Sequence, residues 1–198
     1  MRYLIALALL CSFASDKSPD KCYRSFKEWY TLNHAQLLQT RDTNDLRFEA
    51  RYIPNEIMIC QEILKKEQVS GKELRALYKT HDAYEEYSFR IESLTSRDLL
   101  IEWSEDKADF QNKQFYLIES VQQDFRLVRD NDTLVPLSCQ FENNYGTAPF
   151  ITLHLTFEKA AKGKTGKRQL IYWDHLFQSN IHVFDFTHLS NLQIPKIK

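Results

Sequence analysis

Asp124–Glu158 reads DFRLVRDNDTLVPLSCQFENNYGTAPFITLHLTFE, and its alternation decides the fold. Val135, Leu137, Cys139 and Phe141 alternate with Pro136, Ser138, Gln140 and Glu142. Further on, Ile151, Leu153, Leu155 and Phe157 alternate with Thr152, His154, Thr156 and Glu158. A period of two is the mark of strands with one face on a core. Asp130-Asn131-Asp132 offers side chains that tolerate left-handed backbone, so a hairpin is expected between the first two segments of this stretch.

Working outward, Leu46, Phe48, Ala50 and Tyr52 alternate with charged neighbours and predict a strand, as do Tyr87, Phe89 and Ile91. Leu99 to Trp103 reads as a further short strand, Leu170 to Trp173 as another, and Asn180 to Phe186 as the last long one. Ser25-Phe26-Lys27-Glu28 has capping-box spacing, which starts a helix running to about Leu38 with Phe26, Trp29, Tyr30 and Leu37 on its apolar face. Arg41-Asp42-Thr43-Asn44 reads as a polar break.

Pro54 ends the strand at Tyr52 and suits the first turn of a helix to about Lys66, with Ile57, Cys60 and Leu64 on a stripe widened by Met58, Ile59 and Ile63. Ser70-Gly71-Lys72-Glu73 is a second capping box opening a surface helix. Glu105 to Val121 suits a helix that gives way to extended chain near Asp124. Helices inserted early among strands give an α+β fold with a largely antiparallel sheet and about two to four helices, mostly in the N-terminal half.

The chain has 198 residues, enough for one domain with a substantial core. A net charge of -1 argues against a nucleic-acid partner or an anionic membrane held by bulk charge. Met1-Arg2 followed by YLIALALLCSFAS has the layout of a secretory leader, so residues 1–15 are expected to be a signal peptide, 16–24 a linker and 25–198 the domain. A competing reading makes Cys11 a lipidated first residue and the only membrane anchor, although Leu10 departs from the small residue such a site uses. Outside the leader, Cys22, Cys60 and Cys139 form an odd set, so in an oxidising compartment at least one thiol is left unpaired or is used in an intermolecular bond. Cys60 and Cys139 fall on apolar faces and are expected to be buried thiols.

No motif for catalysis, metal or cofactor emerges, and no cofactor or metal site is expected. Gly163-Lys164-Thr165 lacks the earlier glycine of a phosphate loop, since Glu158 occupies that position, and it joins two strands. The six histidines miss ligand spacings. Acidic pairs such as Glu85-Glu86 read as solvated faces. Asn131-Asp132-Thr133 matches a glycan acceptor but is read as turn chemistry.

Two connections are the candidate contact surfaces. Asn144, Tyr145 and Gly146 sit in an unusual loop between two strands, where recognition side chains tend to be displayed. Lys162, Lys164 and Lys167 belong to a basic hairpin tip suited to an acidic partner or lipid headgroups.

Arg51-Tyr52-Ile53-Pro54-Asn55-Glu56, Phe141-Glu142-Asn143-Asn144-Tyr145-Gly146 with Pro149, and Ile194-Pro195-Lys196 together resemble a family of small uncharacterised exported or lipoprotein-like proteins of Bacteroidota. The resemblance covers most of the mature chain. It implies a cell-envelope address, in the periplasm or anchored by lipid, and carries over no catalytic residue.

The expectation is therefore a non-catalytic exported envelope protein that binds another envelope protein or a surface component. Two alternatives stand beside it. One is a hydrolase-like enzyme using His154 with Glu158; the other is a carrier with an apolar pocket lined by the aromatics, which make up 13% of the chain.

Overall fold

The computed structural model describes residues 19–43, 45–66, 68–95, 98–142, 148–159 and 166–197. They contain five α-helices: α1 (Pro19–Asn33), α2 (Asn55–Leu64), α3 (Gly71–His81), α4 (Leu99–Glu102) and α5 (Lys107–Glu119). The strands are β1 (Leu38–Thr43), β2 (Leu46–Ile53), β3 (Tyr84–Ser93), β4 (Phe125–Arg129), β5 (Asp132–Leu134), β6 (Ser138–Glu142), β7 (Phe150–Glu158), β8 (Arg168–Asp174) and β9 (Asn180–Asp185). Every strand pair is antiparallel, so the fold is α+β with antiparallel sheets.

The strands divide between a five-stranded sheet ordered β1-β2-β3-β7-β6 and a four-stranded sheet ordered β5-β4-β8-β9. Their inner faces meet. The Phe89 ring lies 4.9 Å from Phe125 and 4.8 Å from Tyr172, and Phe48 reaches Tyr172 at 6.1 Å. Each large side chain buried in this way stabilises the fold by about 1.5–3 kcal/mol. Leu153, Leu155 and Phe157 of β7 are fully buried, as the period of two requires.

The preceding segment behaves differently. Val135 and Leu137 are 58% and 55% exposed while Pro136 is buried, because the chain leaves the four-stranded sheet after β5 and joins the five-stranded sheet at β6. A crossover has no sheet beneath it, and Pro136 has no amide for a ladder. Only Cys139 and Phe141 keep the inward side, both half-buried. The hairpin expected at Asp130-Asn131 is present between β4 and β5, with Asp130 at φ 53°.

Other local expectations divide on capping. Ser70 Oγ accepts from the Glu73 amide at 3.2 Å while the Ser70 amide donates to Glu73 Oε2 at 2.8 Å, so the second capping box is built in full. Ser25-Glu28 is not a start: α1 begins at Pro19, inside the stretch read as linker, because proline fits the first helical turn. Leu99–Trp103 is helical rather than extended, since the Asp98 side chain accepts from the Ile101 amide at 2.8 Å and caps a single turn. Arg41-Asp42-Thr43 belongs to β1 rather than to a polar break. Asp42 and Arg47 face each other across the β1–β2 hairpin and form two hydrogen bonds of 2.9 Å, which keeps the polar strand end paired.

Helices α1 and α2 lie over the outer face of the five-stranded sheet. Phe26 from α1 and Ile59, Cys60 and Ile63 from α2 are buried there, apart from the central cluster. The buried stripe of α2 is therefore rotated from the expected one, leaving Leu64 39% exposed. None of the described helices is long and apolar enough to cross a membrane.

Candidate functional site

Strand register builds a polar row on the outer face of the five-stranded sheet. Arg51 of β2 stands opposite Ser88 of β3, Ser88 opposite His154 of β7, and His154 opposite Gln140 of β6. The neighbouring row runs Ile53, Glu86, Thr156. Both rows floor a cleft of about 750 Å³. Its walls come from α1, through Phe26, Lys27 and Tyr30, and from α2, through Ile57, Met58, Cys60 and Gln61. A mainly apolar wall, interrupted here by Lys27 and Gln61, over a floor of a few convergent polar groups is the usual constitution of a small-ligand site.

The floor is only lightly held. Arg51 Nη1 donates to the Tyr30 hydroxyl at 3.2 Å, a neutral partner. His154 Nε2 lies 3.5 Å from Glu142 Oε2, with both side chains more than half exposed, so that pair adds little stability. Burial raises the Glu86 carboxyl above its ordinary range, against the opposing fields of His81 and His154. His81 is itself 2.7 Å from Glu62 Oε1, which pins the end of α3 to α2.

A second polar group lies on the opposite side of the same strand. Glu85 is 2% exposed; its Oε2 accepts from Arg129 Nη2 at 2.8 Å, and its Oε1 accepts from the Tyr87 hydroxyl at 2.5 Å and lies 3.2 Å from Arg168 Nε. Arg129 Nη2 also donates to the Glu158 carbonyl at 3.0 Å. Burial holds the Tyr87 phenol well above its usual value, so it stays a donor. The reading of Glu85-Glu86 as a solvated face is thus corrected for both: one is buried in an ion network and the other is half-buried in the cleft.

A third group looks like a catalytic triad and is not one. Ser179 Oγ donates to Asp174 Oδ2 and lies 2.8 Å from His182 Nε2. With its single proton on Asp174, Ser179 must accept from His182, the reverse of nucleophile activation. Asp174 also accepts from the Phe177 and Ser179 amides and from the Tyr172 hydroxyl, and Gln178 and Asn180 adopt φ of 57° and 81°. The carboxylate fastens a tight left-handed turn. His182 stacks on Phe48 at 4.0 Å, and burial lowers its pKa, keeping the imidazole neutral.

Asp124 orients a fourth. It is buried, accepts from the Tyr116 hydroxyl at 2.6 Å, and lies 2.8 Å from Nδ1 of His175, whose side chain is 66% exposed. The nearby Cys139 thiol is pushed up to about 12 by burial and, secondarily, by Asp124, so it is a neutral thiol rather than a nucleophile. Among the described residues no three metal-type side chains converge.

Of the residues singled out in the sequence, Asn144, Tyr145, Gly146, Lys162, Lys164 and Cys11 lie outside the described residues. Lys167 is exposed, and its carbonyl accepts from the Asp130 amide at 2.9 Å. A Cβ at Gly166 beside it would fall 1.5 Å from Asp130 Oδ1, so a larger residue there has to displace the Asp130 side chain. His154 and Glu158 share a face, but four residues of extended chain place them about 13 Å apart, so they form no acid–base pair. His154 meets Glu142 instead.

Sequence reasoning missed Arg51, Ser88, Gln140 and Glu86, because only the register assembles them. One sign was readable: Ile57, Met58, Ile59 and Ile63 spread apolar side chains around most of α2, more than one packed face consumes. No protein-family model matches this chain, and neither does any curated protein or solved structure.

Proposed function

We propose that this chain is a non-catalytic, exported binding protein of the cell envelope whose cleft beneath α1 and α2 receives a surface component. The observation that carries the reading is the cleft itself: about 750 Å³, mainly apolar on the helix side and lined on the sheet side by an in-register polar row. The address rests on the leader-like first 15 residues and on the family resemblance. The polar groups that superficially suggest catalysis are engaged in turns or ion networks, which favours binding over turnover.

Native mass spectrometry of the chain after exposure to the small-molecule fraction of an envelope extract tests this. A retained adduct is expected with the wild type and not with Met58→Trp, whose added bulk obstructs the apolar wall of the cleft. Equal retention by both proteins, or turnover of a substrate without any retained species, would sink the reading.

A further inference from the structure

The cleft is asymmetric in charge as well as in polarity. Among the described residues, Lys27 and Arg51 line it as cations together with His154 of β7, whereas Glu86 is the one lining carboxylate. Glu86 is itself drawn toward the neutral form by burial, and Glu142, beside His154, is 58% exposed. Among the described residues Arg51 forms no ion pair; the Tyr30 hydroxyl accepts from one of the five N–H groups of its guanidinium. Opposite it, Ile57 and Met58 of α2 and Phe26 of α1 offer apolar surface too extended for a small inorganic anion to use.

Resting on the binding role argued above, we propose that the ligand is an amphipathic carboxylate. Its head is held by Arg51, with Ser88 and His154 as hydrogen-bonding neighbours. Its apolar body lies between the sheet and the Ile57–Met58 face of α2. A guanidinium already oriented by a neutral hydroxyl suits a planar carboxylate, which it can grip with two parallel hydrogen bonds. Methionine adapts to bodies of different shape, so the head sets the class and the wall tolerates variation.

The probes are decanoate, below its micelle-forming concentration, and decan-1-ol, which shares the body and lacks the charge. Isothermal titration of the full chain should give decanoate an advantage of about tenfold or more, the usual worth of a charge-assisted bond. That ratio should fall toward one in Arg51→Gln and partly recover in Arg51→Lys, while Met58→Trp abolishes both isotherms. Equal affinity for the two probes, with both lost in Met58→Trp, would overturn the carboxylate assignment and leave the cleft as a binding site. A decanoate advantage unchanged in Arg51→Gln would overturn the placement of the head. Absence of binding by both probes, or binding of both that persists in Met58→Trp, would overturn the assignment together with the role of the cleft. Unfolding midpoints of the variants confirm that each is folded.

Discussion

Glu85 and Glu86 are neighbours on β3 and point to opposite sides of one sheet. Glu85 enters the space between the sheets and is met by Arg129, Arg168 and Tyr87. Glu86 faces outward into the cleft, where burial disfavours its charge. Three members of the inner group, Glu85, Arg129 and Tyr87, are almost fully buried and joined to one another through the Glu85 carboxylate, so it holds the end of the sandwich. The outer group is open, its arginine bound to a neutral hydroxyl, so it has capacity left for something else. Identical chemistry one residue apart is structural in one case and available in the other, and the pleat alone decides which.

The largest effect that could break this contrast is on the inner side. Arg129→Met leaves Glu85 buried with a poorer set of partners and should cost about 3–5 kcal/mol in urea unfolding. Adding Glu85→Leu removes the stranded charge and should restore most of that loss. If Arg129→Met proves nearly neutral, the inner network is not what fastens the sheets.

A smaller effect comes from pH. Burial keeps His182 below its ordinary value near 6.5, with Asp174 only partly opposing. The unfolded chain therefore takes up that proton first, so the contribution is fully present above about pH 6.5 and is lost as pH falls toward the folded value. Urea midpoints measured through this window should decline on acidification. His182→Phe should flatten that decline, although Ser179 then loses a partner.

The smallest effect belongs to the outer side. Glu86 has a raised folded pKa, so its ionised form costs stability at neutral pH, and that cost fades as pH falls through the folded value. Glu86→Gln should accordingly leave the unfolding free energy unchanged or slightly higher, within about 0.5 kcal/mol. A loss comparable to that of Arg129→Met would erase the distinction between the two faces.

The sequence made much of the scaffold legible because strand alternation and capping are local. Leu46 to Tyr52, Tyr87 to Ile91 and Ile151 to Phe157 all turned their apolar side chains inward, and the Ser70–Glu73 cap formed as its spacing required. Where a local pattern met a non-local constraint it misled. Val135 and Leu137 alternate like a strand but ride the passage between two sheets, and polar Arg41-Asp42 forms strand because Arg47 stands opposite. The site was less legible still. Arg51, Ser88, His154 and Gln140 come from four separate strands, and nothing in their linear spacing announces that register aligns them.

Amide chemical-shift mapping during titration with decanoate addresses the division between the faces most directly. Saturable shifts are expected at Arg51, Ser88, His154 and Gln140 and along the Ile57–Met58 turn of α2, with Arg129 and Leu170 quiet. Shifts that gather on the four-stranded sheet or around Lys167, or that fail to saturate, would contradict the assignment of the outward row to ligand.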